Sequence, residues 1–95
     1  MSEGTDIQHD IELAARILQD AGAREVFIFG SAGRGEQRPG SDIDLAVRGL
    51  PPERFFDAMS RVAFAVSRPF DLVDLDEANP FTEYLETKGE LRRVT

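Results

Sequence analysis

The chain has 95 residues, with 18 acidic and 11 basic side chains and a net charge of −7. A chain of this length is expected to form one domain over residues 1–95, because a single hydrophobic core is the usual solution at this size. The acidic balance argues against direct nucleic-acid binding, which needs a basic surface, and the absence of cysteine excludes disulfides, thiolate zinc sites and thiol catalysis.

The N-terminal part of the chain predicts a helix. The first residues, MSEGTD, lack the basic-then-apolar order of a signal peptide, and the longest apolar stretches fall far short of the roughly 20 residues that span a bilayer. We therefore expect a soluble, cytoplasmic protein with no membrane association. Residues 6–21 then place apolar side chains on one helical face, and Gly22 follows as a natural stop.

The remainder alternates between strands and helices. Apolar or alternating runs predict strands over residues 25–29, 41–48 and 70–75. The helices are expected as a short turn over 31–37, a long helix opened by Pro51 and Pro52 with its phenylalanines and Ala63 in the core, and a last helix from Asn79 and Pro80 to about Lys88. This order predicts an α/β (α+β) fold with a small mixed sheet of three strands, or four if residues 91–94 pair.

The segment from Gly30 to Val47, GSAGRGEQRPGSDIDLAV, carries the chemistry. A Gly-Ser pair follows a buried strand and opens a helical turn, where unpaired backbone N–H groups can hold phosphate oxygens. Ten residues separate Ser31 from Asp42, the first of an Asp-x-Asp pair. A lone Gly-Ser is usually a turn, and a lone Asp-x-Asp is usually a solvated strand face. Their joint arrangement favours a phosphate and metal site.

Asp42 and Asp44 stand at alternate positions of a strand, so both side chains lie on the same face, opposite the apolar residues of that strand. Their Cα atoms are about 6.5–7 Å apart. Carboxylates placed this way can share two magnesium ions about 3.5–4 Å apart, the geometry of two-metal phosphoryl transfer. Magnesium suits them because it prefers hard oxygen ligands.

These motifs resemble those of the minimal nucleotidyltransferases of the DNA polymerase beta superfamily. The closest form is the MNT type, the antitoxin half of HEPN/MNT toxin–antitoxin pairs, which typically reads GSxARGxxxxxSDIDLxV followed by xDLVDL. The match spans residues 25–75, and Gly33 stands where the family often has alanine. The resemblance implies the DNA polymerase beta-like nucleotidyltransferase fold, ATP as substrate and two Mg²⁺ ions.

The resemblance also implies a role for each matched residue. Gly30 and Ser31 would hold the triphosphate with help from Arg34, and Asp42 and Asp44 would bind both metal ions. A third carboxylate from the third strand would ligate one metal and accept the proton of the attacking hydroxyl.

Two aspartates are candidates for that third carboxylate. Asp71 and Asp74 are three apart on one strand and therefore face opposite sides of the sheet, so only one can join the metal site. Asp71 aligns with the family's position. Asp74 is then a charged group at the end of the strand, reaching water or capping the following turn.

Three functions are compatible with these motifs. The chain could transfer AMP from ATP to a tyrosine hydroxyl of a HEPN-type toxin, neutralise such a toxin by binding alone, or modify a small molecule. The last is the weakest, because so short a chain has no visible second lobe to shape a small-substrate pocket. A partner or a second subunit would add that missing surface, and apolar residues of the C-terminal part are expected to contact the partner: Phe81, Leu85 and Leu91.

The Gly-Ser pair generates a direct prediction. Ser31→Ala should weaken nucleotide binding, and Ser31→Asp should nearly eliminate it, because the new carboxylate would lie where the triphosphate must bind. Isothermal titration calorimetry with ATP measures both effects. Equal affinity of the two variants would show that Gly30 and Ser31 form only a structural cap.

Overall fold

A computed structural model of the chain describes residues 3–29, 43–87 and 91–94. Three helices and four strands follow each other along these residues. The helices are α1 (Glu3–Asp20), α2 (Phe55–Ala65, preceded by a 3₁₀ turn over Pro52–Arg54) and α3 (Pro80–Thr87). The strands are β1 (Glu25–Phe29), β2 (Ile43–Arg48), β3 (Phe70–Asp74) and β4 (Arg92–Arg93).

The four strands form one mixed sheet in the order β3-β2-β1-β4. Strand β1 is antiparallel to β2 and β4, whereas β2 and β3 are parallel and connected through α2. The mixed α/β fold is therefore confirmed, with the fourth strand present at residues 92–93. The helical turn predicted over residues 31–37 lies outside the described residues. Within the described ranges, no helix is both long and apolar enough to cross a membrane.

Helices cover both faces of the sheet. On one face, called the core face, the side chains of Ile43, Leu45 and Val47 are completely buried against α1 and α2. On the other face, called the site face, Ala46 packs with Leu85 of α3 in a smaller apolar cluster. The domain therefore has three layers, and the alternation of β2 separates its main core from a second face that is only partly covered by α3.

The start of α3 is set by a reciprocal cap. The side-chain oxygen of Asn79 accepts a hydrogen bond from the amide of Thr82 at 2.9 Å, and the Thr82 hydroxyl accepts one from the amide of Asn79 at 3.1 Å. Both bonds satisfy donors that a helix start leaves unpaired. The predicted helix start at Asn79 and Pro80 is thus confirmed.

The expectation that all phenylalanines of α2 lie in the core was wrong. Phe55 packs against the core, but Phe56 and Phe64 are 76% and 94% exposed. The buried stripe of α2 is set by Ala58 and Val62, and at 100° per residue Phe56 and Phe64 fall outside it. Ala63 was also predicted to lie in the core, and this was wrong, because Ala63 is exposed.

The C-terminal residues expected at a partner interface behave differently from one another. Leu85 is 4% exposed and belongs to the apolar cluster under α3, so its prediction as an interface residue was wrong. Leu91 is partly buried against the same cluster, whereas Phe81 is 50% exposed. Tyr84 is 56% exposed. Exposed aromatic area on α3 is therefore carried by Phe81 and Tyr84.

A buried ion pair ties α1 to the loop that precedes β3. Asp10 is 4% exposed, and its carboxylate accepts hydrogen bonds from the Ser67 hydroxyl at 2.9 Å, the Ser67 amide at 3.3 Å and Arg68 Nε at 3.1 Å. Burial raises the pKa of Asp10, but the bonds from Ser67 and Arg68 outweigh it, so the pKa lies below its ordinary value of 3.8. The charged form of Asp10 therefore stabilises the folded chain.

Replacing this carboxylate should destabilise the fold in a pH-dependent way. Asp10→Asn should lower the free energy of unfolding by about 3 kcal/mol at pH 7, because it breaks a buried pair and leaves Arg68 uncompensated. Because the folded pKa is depressed, the stabilisation is fully present above 3.8 and is lost as the pH falls through the folded pKa.

Urea denaturation at neutral and acidic pH measures this difference. The gap between the wild type and Asp10→Asn should shrink in acid, whereas Asp20→Asn, at an exposed position on the same helix, should change little at either pH. A gap that is independent of pH would show that Asp10 acts through packing and not through its charge.

Candidate active site

Asp44 and Asp71 lie side by side on the site face of the sheet. Strands β2 and β3 pair in parallel with Asp44 directly opposite Asp71, so both carboxylates project from the same face. Neighbouring strands are about 4.8 Å apart, which places the two side chains within reach of one ion. Asp44 is half-buried and Asp71 is exposed, so a substrate can reach the pair from solvent.

The two carboxylates line a cleft of about 550 Å³ whose other walls are apolar. Phe29 is opposite Asp44 on β1, and its ring contacts Phe81 of α3 edge-to-face, with ring centroids 6.3 Å apart. This aromatic pair closes the side of the cleft away from β3. Met59 and Ala63 of α2 line the cleft as well.

Helix α3 is held over the site face by a charged cluster centred on Arg48. This guanidinium donates to Glu86 at 2.8 Å and to Glu25 at 3.3 Å, and it lies 5.6 Å from the ring centroid of Phe27. The bond to Glu86 raises the pKa of Arg48, burial opposes that change, and the bond to Glu25 adds to it. Arg48 thereby connects β1, β2 and α3 and fixes the helix that carries Phe81.

Asp74 does not join the carboxylate pair. It is three residues beyond Asp71 on β3 and pairs in register with Val47, a residue of the core face. Its Oδ1 accepts a hydrogen bond from the amide of Asp76 at 2.9 Å, which closes the turn after the strand. Of the two aspartates proposed from the sequence, the geometry places Asp71 beside Asp44 and gives Asp74 a turn-capping role.

Four of the residues proposed from the sequence lie outside the described residues: Gly30, Ser31, Arg34 and Asp42. Their roles, like the metal-binding roles of Asp44 and Asp71, stay predictions. Within the described ranges, no group of three acidic or histidine side chains is assembled that could hold a metal ion. The pair that is described nevertheless offers hard carboxylate oxygens from two strands at a solvent-accessible cleft, a donor set that fits Mg²⁺.

Sequence reasoning missed the aromatic wall and the charged cluster that positions it. Phe29 was read only as part of a buried strand, although it pairs with Asp44 and lines the cleft. Phe81 was expected only at a partner interface, and its contact with Phe29 could not be predicted because it depends on where α3 crosses the sheet. The pairing of Arg48 with Glu86 likewise joins residues far apart in sequence.

The chain belongs to the polymerase beta nucleotidyltransferase family. The model of that family, "Polymerase beta, Nucleotidyltransferase", matches residues 8–91, which is most of the chain. No significant match was found among curated proteins.

Solved structures extend this likeness to minimal nucleotidyltransferases. A protein described as a minimal nucleotidyltransferase is 26% identical, with a TM-score of 0.67 and 94% of each chain covered. A chain of a toxin–antitoxin complex with AMP-PNP is 25% identical, with a TM-score of 0.65 over 90% of this chain and 70% of that one. The resemblance to minimal, MNT-type proteins is thereby confirmed.

A third structure shares the fold at lower identity. It is the complex of an MNT antitoxin with the tri-AMPylated HEPN toxin of Shewanella oneidensis, and the matching chain is 22% identical. The TM-score is 0.62, with 90% of this chain and 69% of that chain covered.

The contrast between Asp71 and Asp74 gives a matched pair of variants. Asp71→Asn should weaken Mn²⁺ binding in the presence of AMP-PNP at least tenfold, because it removes one of two adjacent carboxylate ligands. Asp74→Asn keeps an acceptor for the turn and should leave metal binding unchanged. The affinity of each variant for Mn²⁺ is measured from the paramagnetic broadening of its NMR resonances. Equal losses in both variants would place the metal elsewhere.

Proposed function

We propose that this protein is a magnesium-dependent nucleotidyltransferase that transfers AMP from ATP to a tyrosine hydroxyl of a HEPN-type partner and so acts as an antitoxin. The observation that carries the proposal is the placement of Asp44 opposite Asp71 on one face of the sheet, in a chain of the polymerase beta nucleotidyltransferase family. The cleft beside them has room for part of a nucleotide and an acceptor side chain.

Asp44 and Asp71 would hold magnesium together with Asp42. When bound, the metal stabilises negative charge on the phosphate oxygens and orients them for displacement. Asp71 is the more exposed of the two described carboxylates, and it accepts the proton of the attacking hydroxyl. Gly30, Ser31 and Arg34 bind the triphosphate.

The reaction balances without a further reactant. The tyrosine oxygen forms a bond to the α-phosphorus of ATP, and the bond from that phosphorus to the bridging oxygen of the β-phosphate breaks. Pyrophosphate leaves with the electron pair of that bond, and the hydroxyl proton passes to Asp71. The product carries AMP on its tyrosine through a phosphodiester.

Two properties of the chain support a protein acceptor. The net charge of −7 complements a basic partner, and exposed aromatic side chains on α2 and α3 provide apolar area for contact. The structural relatives include a toxin–antitoxin complex with AMP-PNP and a complex that contains an AMPylated HEPN toxin. These relatives indicate which partner and which modification to test first.

Co-expression with a HEPN-type protein, followed by intact-mass measurement, tests the proposal. With ATP and magnesium, the partner should gain the mass of one or more AMP units. Asp44→Asn should reduce the transfer rate at least a thousandfold, since it removes a carboxylate ligand of the magnesium ion that would stabilise the transition state. Asp57→Asn, at an exposed position of α2 away from the cleft, should leave the rate unchanged.

The outcomes of this experiment separate three functions. A complex whose mass never changes would show an antitoxin that acts by binding alone. Modification of a free small molecule, with no partner modified, would remove both antitoxin functions. Full activity of Asp44→Asn would refute the catalytic role of the carboxylate pair.

A further inference from the structure

Strand β3 forms one edge of the sheet. The amide of Ile43 donates to the carbonyl of Pro69 at 3.1 Å, and the amide of Leu75 donates to the carbonyl of Val47 at 2.8 Å. In a parallel pair, every second residue directs its backbone groups to the neighbouring strand. With these two bonds at its ends, β3 directs the backbone of its odd-numbered residues toward β2.

The even-numbered residues of β3 therefore direct their N–H and C=O groups to the outer side of the sheet. They are Phe70, Leu72 and Asp74, of which Asp74 already uses its carbonyl to accept a hydrogen bond from the amide of Glu77 at 3.2 Å. Among the residues that the structure describes, no strand lies on that side, since β3 is the last strand in the order. An edge of this kind is a template for one more strand.

Two clefts meet along this edge. The cleft of about 550 Å³ that contains Asp44 and Asp71 adjoins a second one of about 520 Å³, which extends to Phe56 on α2. They share Leu72, Val73 and Phe81 as walls. Together the two clefts are called the edge channel, which has mostly apolar walls and extends along β3 from the carboxylate pair to the start of α2.

The charge along the edge channel has a single sign. Among the described residues that line it, the titratable ones are all acidic: Asp44, Asp71, Asp74 and Glu77. An occupant with basic side chains between apolar ones would complement both the charge and the walls. Nucleic acid, another extended polymer, would be repelled by these carboxylates.

We propose that the edge channel binds an extended, basic segment of the acceptor polypeptide, which adds to β3 as a fifth strand and presents its tyrosine to Asp71. This proposal rests on the proposed function and specifies how the acceptor is held. Main-chain hydrogen bonds to the outer side of β3 give affinity, and side-chain pockets give selectivity.

The register of an added strand relative to β3 determines whether a tyrosine of the bound segment reaches the carboxylates. Side chains of the segment alternate between the two faces, so every second one lies on the site face. A residue placed opposite Asp71 has its Cβ about 5 Å from that of Asp71. A tyrosine at this position can direct its hydroxyl to the carboxylate pair, whereas a free tyrosine has no strand to align it.

Defined peptides test the binding mode with the full chain. The probe is an acetylated peptide, Arg-Val-Tyr-Val-Arg, and the controls are Glu-Val-Tyr-Val-Glu and the basic peptide with alternate backbone amides methylated. The basic peptide should shift the ¹⁵N–¹H resonances of Leu72 and its outward-facing neighbours on β3. The acidic peptide and the methylated peptide should each bind at least tenfold more weakly.

Two exposed phenylalanines on α2 provide a matched pair of variants. Phe56 lines the edge channel and is 76% exposed, whereas Phe64 is 94% exposed and is not among its lining residues. Phe56→Arg should weaken the basic peptide at least tenfold by removing an apolar wall and repelling the cations. Phe64→Arg adds the same charge to the same helix and should leave the affinity unchanged.

Several outcomes would overturn the docking mode. Absence of peptide binding, equal affinity for the acidic and basic peptides, or shifts confined to residues away from β3 would do so. A dimer of this chain that Phe56→Arg dissociates would show that a second copy occupies the edge. AMP transfer to the partner at wild-type rate by Phe56→Arg would remove this docking mode but keep the proposed function. Peptide binding at β3 without any AMP transfer would keep this docking mode but remove the proposed function.

Discussion

The in-register parallel pairing of β2 with β3 is the constraint on which the candidate active site depends. It places Asp44 directly opposite Asp71, although the two residues are far apart in sequence and α2 lies between their strands. A slip by one residue would move the carboxylate of one strand to the core face. The site therefore exists only in this register, and whatever stabilises the register also preserves the site.

The register is stabilised by the side chains that flank the acidic residue. Ile43 and Leu45 on either side of Asp44 are completely buried, and burying an aliphatic side chain of this size contributes about 1.5–3 kcal/mol. A slipped β2 would expose both and bury a carboxylate without a partner. On the β3 side, the Asp10–Arg68 pair holds the loop that leads into the strand. The alternation of side chains along β2 thus buries the apolar residues in the core and places the carboxylate of Asp44 on the site face.

Much of this arrangement could be predicted from local sequence. The period of two in β2, the apolar run of β1 and the Asn79 cap of α3 are local patterns, and their elements appear close to the expected positions. The odd separation of Asp71 and Asp74 along their strand likewise showed that their side chains face opposite sides of the sheet. The exposure of Phe56 and Phe64 was not predicted, because helical spacing does not reveal which stripe meets the sheet. The burial of Leu85 and the contact of Phe29 with Phe81 depend on how α3 crosses the site face, which no local pattern specifies.

The central claim is that the paired carboxylates on β2 and β3 bind the metal that nucleotidyl transfer requires. A crystal structure of the full chain with AMP-PNP and Mn²⁺, with anomalous scattering used to locate manganese, tests it most directly. We expect an anomalous peak about 2.1 Å from carboxylate oxygens of both Asp44 and Asp71, with the α-phosphate bound to the same ion. Bound nucleotide with no metal at these two residues, or manganese bound on the Asp74 side of the sheet, would contradict it.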